Sequence, residues 1–100
     1  MIDEIQARFR RKQYEYSLHA ADQSIVRGIS VEEIEGAVAS GEVIEEYATD
    51  KYGPSCLILG KTESGRVIHV QVTSPIRPTV KIITVYEPNP ELWIDFRERR

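Results

Sequence analysis

The feature that most limits this chain is a change of hydrophobic period at Gly41. Upstream, apolar residues recur every three or four positions, the spacing of an amphipathic helix. Downstream they alternate, the spacing of a half-buried strand. A chain of 100 residues that switches once in this way predicts a single α+β domain, helices first and strands after.

In the helical half, Ile2, Ile5 and Phe9 mark a short amphipathic helix, an N-terminal arm over residues 1–13 ahead of a core at 14–96. Tyr14-Glu15-Tyr16 reads as an extended connector. Ser17 is placed to cap a helix reaching Arg27, with Leu18, Ala21 and Ile25 as its apolar stripe and Gly28 as its stop. Ser30 and Glu33 have the spacing of a capping box for another helix, whose buried face is Val31, Ile34, Ala37 and Val38 and which ends at Gly41.

In the strand half, Glu42–Thr49 puts Val43, Glu45 and Tyr47 on one face. Ser55–Lys61 is apolar enough to be central, Glu63-Ser64-Gly65 closes a hairpin, and Arg66–Ser74 and Val80–Glu87 follow. Pro75 and Pro78 bound the loop between the last two, since neither can donate to a ladder. Short links favour antiparallel neighbours, so the expected architecture is a four-stranded antiparallel sheet with helices on one face. Asn89 and Pro90 fit the start of a last short helix carrying Leu92, Trp93 and Phe96.

Composition narrows the class. With 41% hydrophobic and 29% charged residues, the chain is globular rather than disordered. No apolar run approaches the roughly 20 residues of a membrane span. MIDEIQARFRRK lacks the apolar stretch of a secretory signal, and one cysteine cannot form an internal disulfide. A cytoplasmic location is the expectation. A net charge of -3 argues against a bulk nucleic-acid coat. The charge is uneven, though: Arg8, Arg10, Arg11 and Lys12 cluster near one end, and Arg97, Arg99 and Arg100 at the other. If the ends meet, they form a basic patch.

The chain has only two histidines. In VIHVQVT, Ile68, Val70 and Val72 point one way and Val67, His69, Gln71 and Thr73 the other, so His69 falls on the more polar face. Ile82, Thr84 and Tyr86 share a face of the last strand, and pairing would gather His69, Gln71, Thr84 and Tyr86 into one polar cluster. His19, Gln23 and Arg27 fall on one helical stripe beside the apolar one, a place for a general acid or base with an anion-binding partner. His-x-x-x-His and Cys-x-x-Cys spacings are absent, so neither a metal nor another cofactor is expected. Cys56, beside Leu57, reads as a core thiol, and Trp93 as a lid on the core edge. Adjacent Glu45 and Glu46 point to opposite faces and form no carboxylate pair, though Glu42 and Glu45 can approach the cluster. GKTESG lacks the spacing of a phosphate-binding loop.

LHAADQSIVRGIS (18–30), GEVIEEY (41–47), CLILGKTESGRVIHVQV (56–72) and IITVYEPNPELW (82–93), in this order and spacing, resemble the bacterial domain-of-unknown-function family 4258. That family is regarded as similar in fold to RelE-type and BrnT-type toxins. The resemblance implies a metal-independent ribonuclease working by attack of a ribose 2′-hydroxyl on the adjacent phosphate. His19 and His69 would be its base and acid, Arg27 would neutralise the phosphate, and Tyr86 would hydrogen-bond or stack on a base. Gln23, Gln71 and Thr84 would contact substrate. Gln23 departs from the pattern, because family members often carry arginine there, and glutamine cannot stabilise a phosphorane charge. The implied partners are RNA or the ribosome, and an antitoxin with a basic segment. The alternative is a non-catalytic module on the same scaffold that recognises a protein or small ligand. Convergence of His19, His69 and Arg27 in one cleft separates the two. A third reading is a homodimer paired through edge strand 43–49.

Overall fold

Gly41 ends the helical half by close approach rather than by a left-handed turn. A Cβ there would lie 2.6 Å from Ile58 Cγ2 and 2.7 Å from the Ala37 carbonyl oxygen. The computed structural model describes residues 1–100. Before Gly41 come α1 (Ile2–Arg10), β1 (Tyr14–Tyr16), α2 (Leu18–Val26) and α3 (Val31–Ala39). After it come β2 (Glu42–Tyr47), β3 (Ser55–Lys61), β4 (Val67–Thr73), β5 (Val80–Tyr86), β6 (Trp93–Ile94) and β7 (Glu98–Arg99). No helix is long and apolar enough to cross a membrane.

The helices start where their caps predict. Ser17 Oγ accepts the Ala20 N–H at 3.0 Å, and the Ser30–Glu33 capping box closes in both directions. Gly28 follows α2 with a φ of 61°, a conformation that favours glycine. Ile5 and Phe9 of α1 join Ile34, Ala37 and Val38 of α3 over the core face of the sheet, which presents Cys56, Ile58, Ile68, Val70, Val72, Ile82 and Val85. Residues 1–13 are therefore part of the packed body, with Phe9 stacked on Tyr14 at 4.5 Å between ring centroids.

The sheet differs from the expected one. It has five strands in the order β1-β5-β4-β3-β2, and it is mixed. Tyr14–Tyr16 is no mere connector: it pairs parallel with Val80–Ile82 and forms an edge. Two β-bulges also redistribute the faces. Val43 pairs with Ile58 but Glu45 with Leu57, so Ile44 is the extra residue, and Val43 and Glu45 fall on opposite faces. Gln71 pairs with Thr84 but Val72 with Ile82, so Ile83 is extra, and Ile82 joins the core while Thr84 and Tyr86 face the other way.

The expected C-terminal helix is absent. Residues 93–99 form a small hairpin whose reversal holds Asp95 and Phe96 at φ 52° and 62°. It lies on the sheet face away from α1 and α3, and its buried Trp93 closes over His69 there rather than over the edge of the helix-covered core, where a lid was expected. The two basic clusters do not meet. Arg97 and Arg99 pair with Glu42 and Glu45 of β2, whereas Arg8 reaches the β4–β5 loop.

Candidate functional site

Ser17 sets the rotation of α2. Its N–H donates to the Ile82 carbonyl at 2.9 Å, and its hydroxyl donates to the bulged Ile83 carbonyl at 3.0 Å while capping Ala20. The first turn is thus fixed to the edge of β5 with Ala20 inward. Positions 18 and 20 are about 200° apart on a helix, so Leu18 must point out. Of the stripe expected to be buried, Leu18 and Ile25 are 88% and 79% exposed and Ala21 is half-buried; Val26 beside them is 78% exposed, and Ala20 is the buried residue of α2.

The same rotation carries the polar stripe to β5. His19, exposed, lies with Nε2 3.3 Å from Thr84 Oγ1. At the other end Arg27 donates from Nη1 to the Val85 carbonyl at 2.9 Å and holds its guanidinium carbon 5.9 Å from the centre of the Tyr86 ring. Arg66 steadies this turn, donating to the Arg27 and Gly28 carbonyls at 2.9 Å each and pairing with Glu87 and Glu33. Gln23, half-buried, sits between His19 and Arg27 on α2.

His69 is opposite Tyr86, and Gln71 opposite Thr84, so the four share a face. They do not share an environment. Gln71 turns to the far end of the strand, donating to Asp50 Oδ2 at 3.0 Å and Ser55 Oγ at 3.1 Å. His69 is 0% exposed. Its Nε2 is 2.6 Å from the Phe96 carbonyl oxygen and its Nδ1 3.1 Å from the Tyr86 hydroxyl. A carbonyl oxygen only accepts, so Nε2 carries the proton, and the neutral ring accepts the Tyr86 hydroxyl at Nδ1. Trp93 closes over the imidazole edge-on, 4.5 Å between centroids. Burial pushes the His69 pKa down, and the Phe96 carbonyl and Glu45 only partly offset it. Burial likewise pushes the Tyr86 hydroxyl up.

The surroundings of His69 include Glu45, which the sequence put within reach of the cluster, and Arg99, which it read only as part of a basic end. Arg99 forks onto Glu45 with bonds of 2.9 and 3.1 Å and lies 4.6 Å over the Trp93 ring. Burial alone would raise the Glu45 carboxyl, but Arg99 and the Tyr47 hydroxyl outweigh it and hold it low. Burial and Glu45 together push the Tyr47 hydroxyl up to about 12. Plain alternation hid this match: it puts Glu42 and Glu45 on opposite faces, and the bulge at Ile44 brings both to the side where Arg97 and Arg99 pair with them.

Chemically, this is a sealed histidine clamp beside an open polar edge. His69 has no free lone pair and no exposed surface, so His19 and His69 do not form an acid–base pair in this arrangement. No group of three or more His, Cys, Asp or Glu side chains comes together to hold a metal ion. A depression of about 750 Å³ lies elsewhere, between the hairpin turn and the ends of β3 and β4, lined by Leu59, Lys61, Phe96 and Arg97 among others.

A family model described as Domain of unknown function (DUF4258) matches residues 16–87. No curated protein and no solved structure matches the chain. The matched span holds both histidines, Arg27 and Tyr86, while α1 and the C-terminal hairpin lie outside it.

Proposed function

The chain belongs to the family described as Domain of unknown function (DUF4258), and from that premise we propose that it is a non-catalytic recognition module that docks a protein partner on the outer side of α2. The observation that carries this reading is the outward rotation of the helix, which leaves Leu18, Ile25 and Val26 at 78% exposure or more. Covering each would be worth about 1.5–3 kcal/mol. Arg27 enters none of the ion pairs and flanks this strip with His19. The charge complement is a partner with an apolar strip edged by a carboxylate. A nine-residue helix against its own copy covers less than the roughly 800 Å² per partner of a standard interface, which argues against self-association through α2 alone. Pairing through β2 is disfavoured too, since that edge is bulged at Ile44 and carries Glu42, Glu45 and Glu46.

The likeness to RelE-type and BrnT-type toxins supports a second reading, a metal-free ribonuclease. Its favouring observation is that exposed His19 and Arg27 both reach β5, beside Tyr86. It requires displacement of the hairpin that closes His69. Two experiments separate the readings. Purified chain in excess chelator is incubated with RNA and with translating ribosomes, alongside His19→Ala and His69→Ala; no cleavage is expected, and cleavage lost in both variants would overturn the module reading. Tagged chain and its Leu18→Lys/Ile25→Lys variant are then compared for partner capture, with the partner purified and its affinity measured by calorimetry. Equal affinity for parent and variant sinks the α2 surface, and dimerisation of the parent in gel filtration would replace the partner by a second copy.

A further inference from the structure

A further open surface of the molecule is basic, built from α1 and the β4–β5 loop rather than from α2. Arg8 and Arg11 are three residues apart, on one side of α1. The β4–β5 loop brings Arg77 to them. Arg8 fastens that loop, donating from Nε to the Arg77 carbonyl at 3.3 Å and from Nη2 to the Pro75 carbonyl at 3.4 Å, and the Val80 N–H donates to the Gln13 carbonyl at 3.1 Å. The result is an open hollow of about 370 Å³ lined by Arg8, Arg11, Gln13, Ile76, Arg77 and Pro78.

None of the three arginines joins an ion pair, although the chain is acidic overall and pairs Lys12, Arg66, Lys81, Arg97 and Arg99 with carboxylates. Basic residues in the last turn of a helix are expected on electrostatic grounds, because they offset the partial negative charge of that end. This explains Arg8 and does not explain Arg77. Arg10 belongs elsewhere, in a hollow shared with Glu32, Glu35 and Glu63. Three like charges held around one hollow by hydrogen-bonded backbone repel one another unless an anion lies between them.

We infer that this hollow binds the phosphodiester backbone of a nucleic-acid strand. Guanidinium forks match phosphate oxygens in pairs. A protein partner would need an apolar centre to its interface, and Ile76, 73% exposed, is the single large aliphatic side chain lining the hollow. Backbone neutralisation needs no such centre. The surface is independent of the α2 reading, because Arg8 and Arg11 precede the family match and Arg77 lies on the β4–β5 loop, an element apart from α2.

The test is fluorescence anisotropy of a short labelled RNA strand, and of a labelled DNA duplex, with the full chain between about 50 and 200 mM salt. Binding is expected to weaken with a log–log slope of about −1.4 for the single strand, from the phosphate contacts of Arg11 and Arg77, since Arg8 keeps Nε and Nη2 on the loop carbonyls. Arg11→Glu/Arg77→Glu should weaken it about tenfold or more and flatten the slope. Their side chains hold no other element, so circular dichroism should be unchanged. Arg8 is left intact because it holds the loop. Lys51→Glu/Lys61→Glu makes the same change in total charge and should leave binding within about twofold. Leu18→Lys/Ile25→Lys should leave it intact as well. No binding at low salt, an equal loss in the lysine control, or displacement of RNA by a poly-glutamate peptide as effectively as by unlabelled RNA would overturn the inference.

Discussion

His69 and Phe96, 27 positions apart, are joined by a 2.6 Å hydrogen bond from the imidazole Nε2 to the Phe96 carbonyl oxygen. That bond commits the nitrogen a catalyst would use. It turns the histidine into the peg on which the C-terminal hairpin hangs, with Tyr86 behind it and Trp93 over it.

Loss of the peg should therefore be felt as stability. His69→Ala leaves a cavity and an unpaired Phe96 carbonyl, and should cost about 2–4 kcal/mol in urea denaturation. Hydrogen exchange should show early loss of protection at residues 93–99 while β3 and β4 stay protected. A change below about 0.5 kcal/mol would reject the peg role.

The same residue sets a pH dependence. Burial holds the folded His69 pKa below its ordinary 6.5, so the unfolded chain takes up a proton that the native state refuses. Stability should fall as pH drops below about 6.5, by at most about 1.4 kcal/mol per pH unit, and level off below the native value. A second loss should follow as pH falls below about 4.5. Glu33, held low by the Ser30 N–H, and Glu35, held low by Lys12, are then protonated. Thermal melts of the parent and of His69→Gln should differ in the first window and agree in the second. An identical slope in both near pH 6 would contradict the assignment.

On the outer side of α2 the expectation is the opposite. Leu18→Lys and Ile25→Lys remove no packing, so each should change stability by less than about 0.5 kcal/mol. A loss above about 2 kcal/mol in either variant would mean that the helix turns its stripe to the core after all.

Gly60 should be intolerant. A Cβ there would fall 2.0 Å from the Ala37 carbonyl oxygen, inside the contact between α3 and β3. Gly60→Ala should cost about 3 kcal/mol by forcing the helix off the sheet. Gly36, with nothing within 4 Å, is the control, and Gly36→Ala should be neutral or stabilising. Equal melting temperatures for the two variants would refute the close-approach argument.

What the sequence disclosed and what it hid divide along range. The caps at Ser17 and Ser30, the stop at Gly28 and the core face of α3 are local, and all were legible. The face of α2 was not, because periodicity shows which side is apolar but not where the core lies, and the rotation was decided by the bonds of Ser17 to β5. Ile44 and Ile83 look like any strand residue, yet each inverts the alternation around it. Asn89-Pro90 is a fair helix start. The chain beyond it is held instead by contacts of Trp93, Phe96 and Arg99 with residues far upstream. At the candidate site, the face shared by His69 and Tyr86 could be read from alternation, but the cover over His69 could not.

The parallel pairing of β1 with β5 has a kinetic consequence. Tyr14 meets Val80, while β2 to β5 join neighbour to neighbour through short turns. Closing so long a loop is entropically worthwhile only after the intervening strands have shortened the distance between its ends. On a ribosome Tyr14–Tyr16 emerges more than sixty residues before the Val80–Ile82 segment on which it docks. Throughout that interval the backbone of Tyr14–Tyr16 has no strand to pair with, and it is then that the nascent chain most needs protection from aggregation.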